Sequence, residues 1–321
     1  MNENKLPKDF FWRKIHSLTG IFLFIFLFEH LFTNAQAALI EDGKGFVKMV
    51  DWIHDIPFLP FIEVFILGAC FVVHIVLGIF YLKDSAHNVW KNQGNNPSLS
   101  HLVNNWAYTW QRVTAWILLF AIAIHVVDMR IMRYPKSAKI EGKEWYMQTL
   151  SMDRGLYSLS DRLGVSLYDA KKIADLKAEN ISAKKTKTLW PEKTFYSAEE
   201  EKIIIEEQSK REHKHWVDTM KSHNLAEDQV LAISTSFGKM NLLMVRDSFK
   251  DPIYLFGYSL FVLAATFHAC NGMWTACIVW GVTLSQQSQV ISRKITNLIF
   301  LLLSFLGLSA VWGTYWINLN H

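Results

Sequence analysis

The chain has 321 residues, with little proline, little cysteine and no long tract of one charge sign. Its 7 prolines stay out of the middles of the apolar runs, so nothing breaks those runs as helices. Its 3 cysteines, Cys70, Cys270 and Cys277, all lie within apolar runs, and an odd count there excludes a disulfide framework. There is no Cys-x-x-Cys, which argues against an iron–sulfur cluster or a covalently attached haem. No Gly-x-Gly-x-x-Gly opens a helix, so the chain carries no dinucleotide fingerprint. The net charge of +4 is modest, and the basic residues flank apolar runs rather than forming a stripe, which excludes nucleic acid as a partner.

Apolar residues, by contrast, are abundant: 51% of the chain is hydrophobic and 14% aromatic. They gather in five blocks, at about 13–34, 59–82, 107–131, 253–282 and 294–317. Each is long enough for the roughly 20 residues a helix needs to cross a bilayer. The chain therefore reads as an all-α polytopic membrane protein of five transmembrane helices. Ala35-Gln36-Ala37 looks like a signal-peptide cleavage site, but the run before it is long and carries Glu29 and His30, so it reads as a retained span. Lys5, Lys8, Arg13 and Lys14 precede span one, Lys83, Lys91 and Arg112 border the second loop, and Arg293 and Lys294 border the fourth. The positive-inside rule places all three, and the N-terminus, in the cytoplasm. Arg130, Arg133 and Lys136 after span three are the contrary charges.

Residues 1–134 thus hold spans one to three, 135–250 an extramembrane insert, and 251–321 spans four and five. The insert is polar and reads as largely helical. A capping box at Ser197–Glu200 opens one helix, and a second is expected at about 166–180. His213 and His215 point to different sides of a helix and do not form a metal pair.

Four histidines, His30, His74, His125 and His268, sit one apiece inside four of the spans. A histidine at that depth is costly and faces a partner in the bundle interior. Counting along alternating spans puts His30 and His125 in the outer half and His74 and His268 in the inner half, with levels roughly 10–20 Å apart. Two imidazoles at one level satisfy both axial positions of a haem iron and leave none open, which favours electron transfer over oxygen binding. Gly78 and Gly272 each follow a histidine by four residues, on the same helix face, where a ring can approach the backbone. His16 is a fifth candidate, near the inner interface beside Ser17.

At these residues the chain resembles the di-haem cytochrome b membrane anchor of succinate:menaquinone reductase and quinol:fumarate reductase, in its single-polypeptide, five-helix form. The matching pieces are Arg13-Lys-Ile-His-Ser17, Glu29-His-Leu31, Ile56-Pro-Phe58 with Glu63, His74 with Gly78, Gln111-Arg-Val-Thr114, His125 to Arg130, and Phe267 to Trp274 followed by Trp280-Gly281. The resemblance implies two haems b, ligated by His30 with His125 and by His74 with His268. It also implies a flavoprotein and an iron–sulfur partner subunit docked on the cytoplasmic face of a bacterial inner membrane. The chain would supply quinone chemistry and no succinate-oxidising site of its own. Arg13, Arg112 and Arg130 are placed to pair with haem propionates, His16 to meet a propionate or quinone, and Glu63 and Asp55 to exchange protons with menaquinone near the outer haem. The insert departs from the family, whose members usually connect these spans briefly. Two other readings stay open on the residues alone: a di-haem cytochrome b serving a hydrogenase or formate dehydrogenase, and a haem-free transporter or anchor with its histidines in a proton path.

Overall fold

The computed structural model describes residues 8–40, 43–83, 89–90, 99–140, 142–175 and 198–320. Glu41, Asp42, Lys5, Lys91 and the capping-box residue Ser197 lie outside the described residues. Five helices are long and apolar enough to cross a membrane: Asp9–Leu39, Leu59–Lys83, Val103–Met132, Pro252–Val279 and Gln286–Ile317. They are spans one to five of a helical polytopic membrane protein. Large apolar side chains point outward from them, among them Phe120, Ile124, Leu298 and Leu301, each more than 60% exposed. That surface suits lipid, where a helix satisfies its own backbone groups and needs no water.

Span one continues as a single helix through Ala35-Gln36-Ala37, and Ala35 and Ala37 are buried. Three spans contain a π-turn: Ile62–Leu67 in span two, Val127–Met132 in span three and Ser309–Gly313 in span five. All three lie toward the end of the bundle where the insert sits. Span two opens after Phe58, which holds a left-handed backbone (φ 59°) between Pro57 and Pro60. Such a conformation is uncommon for a residue with a Cβ.

The insert contains a four-stranded antiparallel sheet in addition to its helices. Its strands are β1 (Lys136–Ile140), β2 (Lys143–Ser151), β3 (Ser166–Tyr168) and β4 (Gln229–Ser234), in the order β1-β2-β4-β3. The helix expected at about 166–180 is corrected here: Ser166–Tyr168 is strand, and only Ala170–Asp175 of the described part is helix. Leu167, inside that range, pairs with Ala232 of β4. Central strand β4 is buried on both faces, so alternate residues enter two cores. Val230 and Ala232 join Leu150, Leu156, Leu159, Met240 and Leu243, while Leu231 and Ile233 join Met147, Trp216 and Met220. A period of two sends successive strand residues to opposite faces.

The insert is fastened to the membrane portion. The first core includes Ala37 of span one and Phe46 of the short helix Lys44–His54. Asp51 of that helix accepts hydrogen bonds from Ser236 Oγ and the Gly238 backbone amide, both at 2.7 Å, at the start of helix Phe237–Ser248. A carboxylate there meets the orphan amides and positive end of the helix. His54 stacks on Phe237 at 4.0 Å and its Nε2 lies 3.0 Å from the Tyr146 hydroxyl. The basic residues that ran against the expected orientation are locally occupied: Arg130 pairs with Glu63, Arg133 with Asp128, and Lys136 donates to Ser222.

Inside the insert, Asp153 joins two elements. Its Oδ1 caps helix Arg154–Leu163 by accepting from the Leu156 amide at 2.8 Å, while Arg246 forks onto both carboxylate oxygens and Lys250 approaches at 2.6 Å. Burial alone would raise this carboxyl, but the hydrogen bonds and charges of Arg246 and Lys250 outweigh it and hold it well below the usual carboxylate range. Burial, aided by the Lys136 ammonium, pushes His223 down to about 4, beside Thr149 at 2.9 Å. Asp153→Ala is expected to destabilise the insert by about 3 kcal/mol, since it strands the buried Arg246, and Asp153→Asn by less, since the amide still caps. Thermal melting followed by tryptophan fluorescence of the intact protein checks both. Both groups make the insert acid-sensitive. The contribution of neutral His223 is complete above its unfolded value and is lost as pH falls toward about 4, and that of Asp153 is lost at still lower pH. Melting temperature should therefore fall as pH is lowered from 7 to 4, and His223→Gln should flatten the upper part of that fall.

Candidate functional site

The four span histidines come together as two pairs. The rings of His74 and His268 stand 6.4 Å apart, centre to centre, at 79° to one another. Those of His30 and His125 stand 5.9 Å apart at 80°. A metal–imidazole bond is about 2 Å, and a ring nitrogen lies about 1 Å from its ring centre, so two axial imidazoles on one metal stand about 6 Å apart. Both pairs have that separation.

Neighbouring helices hold the rings. His74 Nδ1 donates to the His16 carbonyl of span one at 3.1 Å, with Thr19 Oγ1 beside it at 3.3 Å. His268 Nδ1 donates to the Gln111 carbonyl of span three at 3.2 Å, with Thr114 Oγ1 at 3.3 Å. His125 Nδ1 lies 3.0 Å from the Tyr258 hydroxyl of span four. When Nδ1 carries the proton and donates it, Nε2 keeps its lone pair for a metal.

Span one touches His74 at Thr19 and carries His30 eleven residues later. Span three touches His268 at Thr114 and carries His125 eleven residues later. At 1.5 Å per residue, the two levels are about 16 Å apart.

These contacts repeat. His16, Thr19 and His30 correspond to Gln111, Thr114 and His125 at a constant offset of 95 residues, and His74 and Gly78 correspond to His268 and Gly272 at an offset of 194. Spans one and two therefore carry the same pattern as spans three and four. The carrier roles of Thr19, Thr114 and Tyr258 were absent from the sequence reading, although this offset would have revealed the two threonines. The two glycines make room, but for a side chain of the facing helix rather than for their own histidine's ring. A Cβ at Gly78 would meet His16 at 3.5 Å, and one at Gly272 would meet Gln111 at 3.7 Å. A Cβ at Gly20 would lie only 3.0 Å from the His74 ring.

The remaining candidates divide. His16 stacks on His74 at 4.0 Å and 14°, so it belongs to the His74–His268 level. Its counterpart Gln111 is tied to span four instead, donating to the His268 carbonyl and accepting from Asn271. Arg13 is exposed. Arg112 lies over the Tyr108 ring at 3.2 Å and donates to the Tyr108 carbonyl, a contact within its own helix. Glu63 and Arg130 form an ion pair between spans two and three, and each sits in a π-turn. Such turns are frequent at functional sites. Arg130 also lies over Tyr134 at 4.3 Å. Asp55 is exposed at the end of helix Lys44–His54.

Among the described residues no group of three or more His, Cys, Asp or Glu side chains could hold a bare metal ion. Two imidazoles per level suit a metal whose other positions are already filled by a macrocycle.

No family model matches the chain. The chain is similar to the succinate dehydrogenase cytochrome b558 subunit of Bacillus subtilis (strain 168), with 22% identity over 307 residues that span 95% of this chain and 97% of the relative. That similarity supports the succinate dehydrogenase cytochrome b anchor family.

Proposed function

We propose that this chain is the membrane-anchor cytochrome b subunit of a succinate dehydrogenase or fumarate reductase, carrying electrons between an iron–sulfur subunit and menaquinone through two bis-histidine haems b. The observation that carries this is the pair of imidazole pairs, each with ring centres about 6 Å apart, stacked through one helical bundle. The similarity to a cytochrome b558 subunit across 95% of the chain supports it.

In this reading His74 and His268 hold the inner haem, and His30 and His125 the outer one. Bound there, haem supplies one-electron chemistry with no open coordination position. The chain's own residues do the positioning. The carbonyls of His16 and Gln111 accept the Nδ1 protons of the inner pair and fix which nitrogen faces inward. Apolar side chains around the spans exclude water and counter-ions. His16, on the inner side, and Arg13, near the same interface, are assigned to a propionate. Arg112 is assigned to a propionate as well: it lies over the Tyr108 ring and gives one N–H to the Tyr108 carbonyl, while its buried Nε has no hydrogen-bond partner among the described residues.

The quinone site is assigned to the outer end of spans two and three, around the Glu63–Arg130 pair. A quinone gains or loses protons as it changes redox state, and a carboxylate held by a guanidinium at the membrane boundary can exchange them. Asp55, exposed nearby in sequence, is the relay to solvent. The N-terminus lies in the cytoplasm of a bacterium, the protein crosses the inner membrane five times, and the flavoprotein and iron–sulfur subunits dock on the cytoplasmic side next to the inner haem.

A reduced-minus-oxidised spectrum of the purified protein, with haem quantified per chain, is expected to show two b-type haems. A colourless protein after adequate haem supply would overturn the proposal. His30→Ala and His125→Ala should each remove one and the same haem, and His74→Ala and His268→Ala the other. Glu63→Gln is expected to keep both haems and lower quinone turnover at least about tenfold, in line with loss of a positioned acid–base group. Full turnover in that variant would reassign the quinone site.

A further inference from the structure

The two histidine levels differ in how their rings are held. At the inner level both Nδ1 atoms donate to backbone carbonyls, which no side-chain substitution removes. At the outer level His125 meets a side chain, the phenol of Tyr258, at 3.0 Å. That phenol is braced on several sides. Its ring packs on Tyr254 at 6.0 Å and 13°, edge-on against Phe249 at 5.4 Å, and against Phe261 at 6.0 Å. Phe249 is buried and caps the last helix of the insert. Tyr254 is itself tied down, donating to Asp128 at 3.2 Å and accepting from Arg133 at 2.9 Å, while Arg133 donates to Ser248 of the insert at 3.1 Å.

We propose that Tyr258 is a positioning residue for His125: its oxygen accepts the Nδ1 proton, fixes the ring's tautomer and orientation, and so sets the donor strength of the Nε2 offered to the outer haem. This rests on the haem reading given above. The insert takes part through Phe249, whose ring packs on the Tyr258 ring, and the Tyr254 ring supports the same phenol by packing. An acceptor on the far nitrogen raises the basicity of a metal-bound imidazole. Removing it makes His125 a weaker donor, which favours the reduced iron. The same loss frees the ring to rotate.

The test is a potentiometric titration of the full-length protein, followed by visible absorbance and by low-temperature electron paramagnetic resonance. It compares the wild type with Tyr258→Phe and Tyr254→Phe. The phenylalanine at 258 keeps the ring packing and deletes only the acceptor. The second variant deletes a hydroxyl one turn away that does not touch His125. Tyr258→Phe is expected to raise the midpoint potential of one haem, move one low-spin ferric signal and weaken retention of that haem about tenfold. The other haem should be unchanged, and Tyr254→Phe should leave both potentials in place. Unchanged potentials in Tyr258→Phe, a response shared equally by both haems, or an equal effect of Tyr254→Phe would each overturn the assignment. A wild type without haem removes the reading beneath it, and the spectrum shows that before any variant is made.

Discussion

An imidazole inside a membrane has no water to satisfy its N–H. A neighbouring helix must accept that proton, and this constraint organises the bundle. A free backbone carbonyl is rare in a helix, because each is already bonded to the amide four residues on. Here spans one and three each place a threonine three residues after the accepting carbonyl. Thr19 bonds back to the carbonyls of Ile15 and His16, and Thr114 to those of Trp110 and Gln111. The carbonyls of His16 and Gln111 are shared among a helix amide, a threonine hydroxyl and a histidine. Back-bonding of this kind bends a helix locally and tilts carbonyls outward. The threonines are thus part of the means by which one helix holds the next helix's histidine, and the close approach at Gly20 follows from the same need.

The constraint also explains why the two halves of the bundle are alike. Two helix pairs carry the same spacing of acceptor, threonine and histidine, so they build the same contact twice and leave the levels about 16 Å apart. The differences between the halves lie where one half has a side chain that the other lacks. His16 stands where the other half has Gln111 at the His74–His268 level, and Tyr258 lies beside His125 at the His30–His125 level. Such departures from an otherwise repeated pattern are where two chemically equal histidine pairs can be made unequal.

The end of the bundle that carries the insert is less regular than the opposite end. Three π-turns, the left-handed Phe58 and the insert all gather there. Two of the π-turns hold Glu63 and Arg130, which pair across spans two and three. The insert seals part of this region, with Asp51 capping one of its helices and its core extending into span one. Its sheet could not be read from sequence because β4, Val230 to Ile233, is buried on both faces and shows no alternation of apolar and polar residues. Ser166–Tyr168 is too short to show a period and is strand only because it pairs with β4.

The spans were legible for a simple reason: a bilayer demands about 20 apolar residues in sequence, and nothing distant in the chain can relax that demand. The grouping of the four histidines into two levels followed from counting at a fixed rise per residue. Sequence by itself therefore determined the five helices, the level of each imidazole and the absence of a dinucleotide fingerprint. Which atom accepts each Nδ1 proton, that Arg130 meets Glu63 while Arg112 turns to Tyr108, and that the insert folds round a sheet were decided by the tertiary structure. Those outcomes depend on how helices rotate about their axes and on pairings between residues far apart in the chain, and a local pattern specifies neither.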